Sequence, residues 1–246
     1  MITKAQAKYI QSLSDKKFRT EMRCFVAEGP KIINEFLEER SVEPIAVYGT
    51  EEWIGSQTHA AITPIEITRR ELENISFLST PNQVLGVFKL PVADPSYDFW
   101  GKLTLVLDGI QDPGNLGTII RIADWFGIKA IVASKDSADA YNPKVVQSTM
   151  GSVARVQLYY EDLAGFLQNQ RPIPILAAAL DGISLAKIGR VKEGFLVIGN
   201  ESKGISPEIL QLATQKLTIP RLGKAESLNA GVAAGILVSA ITIPKG

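Results

Sequence analysis

The sequence is poor in the residues that most enzymes use for metal or covalent chemistry. Of its 246 residues, one is cysteine (Cys24) and one is histidine (His59). A single cysteine excludes an internal disulfide framework and any multi-cysteine metal site, and a single histidine puts a histidine-based zinc site out of reach. No metal is expected. No Gly-x-Ser-x-Gly elbow occurs, and the histidine lies away from any motif, so there is no Ser/His machinery. No Gly-x-Gly-x-x-Gly follows an apolar run, which removes the dinucleotide-binding fingerprint. The run Gly199-Asn-Glu-Ser-Lys-Gly204 has the glycine spacing of a phosphate-binding loop but lacks a lysine directly after the second glycine, which argues against a nucleotidase. No window approaches eighteen uninterrupted apolar residues, and the first residues lack the apolar core of a secretory signal. Neither a membrane span nor export is expected, and a reducing cytoplasm is the natural home.

A charge excess is also missing. Twenty-six Lys and Arg residues face 26 acidic ones, whereas nucleic-acid binders are often basic overall. The distribution is less even. Residues 1–31 carry Lys4, Lys8, Lys16, Lys17, Arg19, Arg23 and Lys31 against Asp15, Glu21 and Glu28. Such a bias is usually a solvated helical face, yet RNA affinity depends on local phosphate contacts and a neutral total does not exclude it.

What remains is an ordinary globular composition, 46 % hydrophobic and 21 % charged, with ample length for a core. The chain reads as two α/β units. In the first, helices are expected at Ala5–Leu13, from Gly29-Pro30 to about Arg40, and near Arg69–Asn74. Strands are expected at Cys24–Ala27, Ile45–Tyr48, Ile65–Thr68 and Val84–Lys89. The Pro- and Asp-rich stretch around residues 90–100 reads as a linker, dividing the chain into 1–95 and 96–246. The second unit holds short, largely uninterrupted apolar runs at Leu103–Leu107, Ala130–Ala133, Val153–Leu158, Ile173–Ala178, Phe195–Ile198 and Leu217–Ile219. Such runs suit parallel strands covered on both faces, with helices between them: a doubly wound, mostly parallel α/β sheet.

Three segments carry the chemistry. Near the C-terminus, Ser227-Leu-Asn229 opens a helix whose first turns are nearly all Ala and Gly. Glycine inside a helix costs roughly 1 kcal/mol against alanine, so Gly231 and Gly235 point to a need for space. Asn115-Leu-Gly117-Thr-Ile-Ile-Arg121 lies where a turn-rich run passes into a helix of about Gly117–Phe126. That periodicity sets Arg121 almost opposite the apolar stripe, and alone it describes an exposed arginine near Asp124. Ile198-Gly199-Asn200-Glu201-Ser-Lys-Gly204 follows an apolar strand, where an isolated glutamate is usually solvated.

Together, in this order, the three segments resemble the signatures of the SpoU/TrmH family of RNA 2′-O-ribose methyltransferases. The run Phe25-Val-Ala-Glu-Gly-Pro-Lys31 is similar, less specifically, to the small RNA substrate-binding domain of many members. The resemblance implies a catalytic domain ending in a trefoil knot, a homodimer and S-adenosylmethionine as methyl donor. It implies catalytic roles for Asn115, Arg121, Glu201, Ser227 and Asn229. Cofactor contacts are implied at Ala177, Ala178, Gly199, Asn200, Ile219 and Leu228, with Gly199 letting the cofactor lie against the main chain. Arg121 would serve near the partner's cofactor. A guanidinium is almost always protonated, so Arg121 is expected to orient the 2′-hydroxyl and an adjacent phosphate rather than act as a simple base. The expected substrate is a structured RNA, ribosomal RNA before transfer RNA. A catalytically silent RNA-binding or ribosome-assembly factor on the same fold is the alternative, and methylation of a base is a third reading.

Overall fold

The structure is a computed structural model and describes residues 2–57 and 62–244; His59 lies outside the described residues. The chain divides into two compact units, Met1–Val92 with Asp139–Arg155, and Ala93–Ala138 with Val156–Gly246.

The first unit is a four-stranded sheet in the order β1 (Cys24–Glu28), β4 (Val84–Lys89), β2 (Pro44–Gly49), β3 (Ile65–Glu66). Strand β4 runs antiparallel to both neighbours, and the short β3 is parallel to β2. Helices α1 (Lys4–Ser12) and α5 (Arg69–Ile75) begin at capping boxes, Thr3 with Gln6 and Thr68 with Glu71. Their residues Ile10, Leu72 and Ile75 join Val26, Tyr48, Leu85 and Val87 in one core. Helix α3 (Pro30–Glu39) starts with Pro30 after Gly29, whose φ of 91° suits glycine. Its Phe36 packs edge-on against Phe88, with ring centroids 5.2 Å apart.

Two helices escape the sequence reading, α2 (Lys16–Met22) and α4 (Glu51–Gly55). Both are short and begin at side-chain caps, Asp15 and Thr50. Helix α2 also changes the meaning of one cation. Arg19 is 2 % exposed; its guanidinium donates to the carbonyls of Leu13 (2.7 Å) and Ser14 (2.8 Å) and pairs with Asp139 at 2.5 Å. Asp139–Arg155, which includes a helix at Pro143–Thr149 (α7), thus packs with the first unit although it lies inside the stretch assigned by sequence to the second. The Tyr141 ring sits 5.0 Å from that of Phe25, and Arg155 pairs with Glu35.

The second unit is a six-stranded, wholly parallel sheet. Its order is β10 (Gln215–Thr218), β8 (Ile175–Ser184), β9 (Gly194–Gly199), β5 (Leu103–Asp108), β6 (Ala130–Ser134), β7 (Gln157–Glu161). Val106, Val132, Ala177 and Val197 face a core shared with α8 (Leu163–Asn169) and α9 (Pro207–Leu212). Alternate residues Leu105, Leu107, Ile131 and Ile198 are equally buried on the other face. There α6 (Pro113–Trp125) packs against α10 (Ala230–Thr242). The expected strand Val153–Leu158 is displaced to Gln157–Glu161. Val153 is buried from a short 3-10 turn, Ser152–Ala154, after the positive-φ Gly151, so its apolarity reflects core packing and not extended backbone.

Candidate active site

Strand β5 ends at Asp108, and Gly109 turns the chain with φ 71°. Asp112 then caps α6, its carboxylate accepting the Asn115 N–H at 2.8 Å, with Pro113 in the first helical position. Asn115 therefore sits inside the first turn of α6 and not ahead of the helix. The Asp-Pro pair explains this: it supplies both the cap and the pre-set φ.

The Asn115 amide is held from two sides. Its Nδ2 donates to the Glu201 carboxylate, which reaches it from the loop after β9. Its Oδ1 accepts from Asn229 Nδ2 at 2.7 Å. Asn229 caps α10, and its own Oδ1 accepts the Val232 N–H at 3.2 Å. An ionised carboxylate can only accept, so Asn115 must present its NH2 to Glu201 and its oxygen to Asn229. One carboxylate thereby fixes the orientation of two amides. The residues so joined are separated by 86 and 114 positions in the chain.

Beside this trio lies a cleft of about 880 Å³ formed by the ends of β8, β9 and β10 and the loop before α10. Parallel sheets commonly bind ligands in this place, beyond the carboxyl ends of the strands. Small residues (Ala178, Ala179, Gly199, Ala230, Ala233) line much of it. Three leucines stand out from the wall: Leu180, Leu222 and Leu228 are 77 %, 99 % and 44 % exposed. An exposed leucine is unremarkable alone, whereas three around one cleft offer an apolar ligand surface.

The sequence-predicted residues fall into distinct places. Asn115, Glu201 and Asn229 are joined directly, while Ser227 is exposed on the cleft without bonding to that trio among the described residues. Ala178, Gly199, Asn200, Ile219 and Leu228 line the cleft. Ala177 does not: it is fully buried within β8, because adjacent strand residues point to opposite faces. Arg121 is exposed on α6 and is not among the cleft-lining residues. Gly199 is explained by the chain itself. A Cβ there would lie 2.3 Å from the Gly204 carbonyl carbon, so glycine is required by the Asn200–Gly204 bridge that closes the loop. The sequence reading missed Asp112, whose Asp-Pro signal was legible, and Leu180 and Leu222, whose exposure no pattern announces. Among the described residues, no group of His, Cys, Asp or Glu could hold a metal, and no helix is long and apolar enough to cross a membrane.

Comparison with known proteins is consistent along the whole chain. Residues 102–239 match the SpoU rRNA Methylase family, and residues 4–86 match the MRM3-like substrate binding domain. A 23S rRNA (guanosine(2553)-2′-O)-methyltransferase, RlmP of Bacillus subtilis, is 30 % identical over 93 % of this chain and 92 % of its own length. A Porphyromonas gingivalis structure assigned to the TrmH family of RNA methyltransferases superimposes with a TM-score of 0.87 at 36 % identity, covering 98 % of both chains. An AdoMet-bound rRNA methyltransferase from Sinorhizobium meliloti gives 0.85 at 28 % identity, over 98 % of this chain and 95 % of its own. With Asn115, Glu201 and Asn229 of its three motifs bonded to one another and this agreement over nearly its full length, the chain belongs to the SpoU rRNA methylase family.

Proposed function

We propose that this protein transfers a methyl group from S-adenosylmethionine to a ribose 2′-hydroxyl of ribosomal RNA. The observation that carries the proposal is the bonded trio Glu201–Asn115–Asn229, whose Glu201 lines the cleft. The cleft suits the cofactor. Its small-residue walls and main chain admit a flat, polar-edged ligand, and Leu180, Leu222 and Leu228 offer it an apolar cover. Ala178, Gly199, Asn200, Ile219 and Leu228 would hold it. When bound, S-adenosylmethionine supplies a methyl group carried on a positively charged sulfur.

The chain's own part is placement. Asn115 and Asn229 each spend one N–H of their NH2 group inside the trio, which leaves the second to orient the ribose. Ser227 adds a hydroxyl beside them. Arg121 orients the 2′-hydroxyl and a neighbouring phosphate, and that phosphate helps to take the proton. The exposed Arg121 fits a homodimer in which it reaches the partner's site. Along α6, Trp125 follows Thr118 and Ile122 and is 84 % exposed. On α10, Val232 and Ile236 lie one turn apart and are 52 % and 40 % exposed. An apolar ridge over two packed helices suits a second copy of the chain. A trefoil knot belongs to this proposal through the family alone; in the structure the chain after β8 touches α10, where the Val191 N–H donates to the Ile241 carbonyl at 2.7 Å.

The first unit serves as the RNA-binding domain in this proposal. Of its N-terminal cations, Lys4, Lys8, Lys16, Lys17, Arg23 and Lys31 are exposed, whereas Arg19 is committed to Asp139. The test is methyl transfer from labelled S-adenosylmethionine to total RNA from cells lacking the protein, with nucleoside analysis and Arg121→Ala alongside. A 2′-O-methylnucleoside formed only by wild type is expected. RNA binding without transfer would favour a silent assembly factor instead, and a methylated base would redirect the chemistry.

A further inference from the structure

Where β5 ends, its main chain loses a sheet neighbour. Ile110 is fully buried, so its N–H must find an acceptor inside the protein. Two serines, Ser134 at the end of β6 and Ser137 in the turn that follows it, meet this need. The Gly109 N–H donates to Ser134 Oγ at 2.9 Å, and the Ile110 N–H donates to Ser137 Oγ at 3.2 Å. The two oxygens are 2.9 Å apart, and Ser137, 6 % exposed, donates in a long 3.5 Å contact to the Leu107 carbonyl. Ser134 is then the donor between them, so each hydroxyl gives one hydrogen bond and takes one from the main chain.

The Gly109 peptide held in this way leads to both halves of the site. Its carbonyl accepts from Asn200 Nδ2 at 2.9 Å. Asn200 Oδ1 in turn accepts the N–H groups of Ser202 (2.9 Å) and Lys203 (3.2 Å), shaping the turn that carries Glu201. In the other direction the chain runs from Ile110 to the Asp112 cap and Asn115. We infer that Ser134 and Ser137 are positioning residues for the methyl-transfer site, acting through the Gly109–Ile110 main chain to align Asn115 with Glu201. The inference rests on the reaction proposed above and adds two residues outside the three motifs.

The test compares Ser137→Ala, Ser134→Ala, Ser137→Thr and Thr104→Val in the full-length protein. Thr104 lies on β5, the strand that leads to Gly109, with a buried hydroxyl that has no partner among the described residues, so its substitution controls for loss of a buried hydroxyl. Rates are measured at saturating labelled S-adenosylmethionine on total RNA from cells lacking the protein. Cofactor affinity is measured by calorimetry, and side-chain amide protection of Asn115 and Asn229 by 15N spectra. Misplacement of about an ångström can cost two orders of magnitude, so each alanine variant should lose about 10- to 100-fold in kcat. KM for RNA and cofactor affinity should stay nearly unchanged, Asn115 amide protection should fall, and Ser137→Thr and Thr104→Val should retain activity. Should Ser137→Ala fail to fold, the partly exposed Ser134 carries the test. Folded alanine variants with wild-type kcat and unaltered amide protection would overturn the inference. If wild type transfers no methyl group, the proposed reaction fails, and the amide spectra alone then decide whether the serines set Asn115.

Discussion

Gly231 supplies the sharpest test of how α10 is seated. A Cβ at this position would lie 2.9 Å from Thr118 Cγ2, 3.2 Å from Thr118 Cβ and 3.2 Å from Asn229 Oδ1. Thr118 cannot swing away freely, because its hydroxyl donates to the Gly114 carbonyl at 2.9 Å. In Gly231→Ala two effects compete. Alanine gains about 1 kcal/mol of helix propensity over glycine, while overpacking costs about 1–3 kcal/mol. A net loss of about 1 kcal/mol is expected, or roughly 2–4 °C in Tm for a chain of this size. Thr118→Ser removes the methyl in the way but keeps the hydroxyl. In that background the propensity gain survives, and Gly231→Ala should become neutral or stabilising. Urea unfolding of the four proteins gives the cycle, with an expected coupling of about 1–2 kcal/mol. Methyl transfer should fall in either background, since the new Cβ also crowds Asn229 Oδ1 at 3.2 Å whether or not the Thr118 methyl is present. Additivity within about 0.5 kcal/mol would refute the contact as the reason for the glycine.

Other outcomes follow from particular groups. Asn115→Ala and Asn229→Ala should each lower kcat by about 10²- to 10³-fold, the range for losing one preorganised donor, while calorimetry finds cofactor binding retained. Arg121→Ala mixed with Asn229→Ala should recover activity that neither has alone, if Arg121 acts across a dimer; a mixture as inactive as its parts would count against that arrangement. Arg19→Met leaves Asp139 without its buried partner and should destabilise the chain by about 3–5 kcal/mol, measured by denaturant unfolding. Glu28 is buried, and burial raises its carboxyl above the ordinary value of 4.5 despite hydrogen bonds from Ser76 and the Phe77 N–H. The folded state therefore holds this proton more tightly than the unfolded one. Stability from this group is present below the unfolded pKa and falls as pH rises through the folded one. Comparing Tm against pH for wild type and Glu28→Gln should reveal a steeper decline in wild type just above the usual carboxylate range.

The sequence by itself determined a good deal of this protein. Short uninterrupted apolar runs specified buried parallel strands, and most lie within a few residues of the observed ones, because burial on both faces leaves no room for polar alternation. The helices α1, α3 and α5 of the first unit were equally legible. Reading failed where a local pattern served a distant contact. Val153 looked like a strand residue but is buried from a helical turn, and α2 and α4 are too short for periodicity to register. Arg19 looked like one more surface cation, yet its partner Asp139 lies 120 residues away. The motif residues were visible as residues, but nothing local could state that Glu201 bonds Asn115, or that Asn115 bonds Asn229. Ala177 and Ala178 are indistinguishable in composition, and the sheet alone decides which one faces the cleft. Gly199 illustrates the same division: its presence was plain, while the reason for it, the Gly204 main chain crossing where a Cβ would stand, exists only after the chain has folded back. Periodicity and capping are read from neighbours in sequence, whereas hydrogen bonds between loops depend on where the sheet brings their ends.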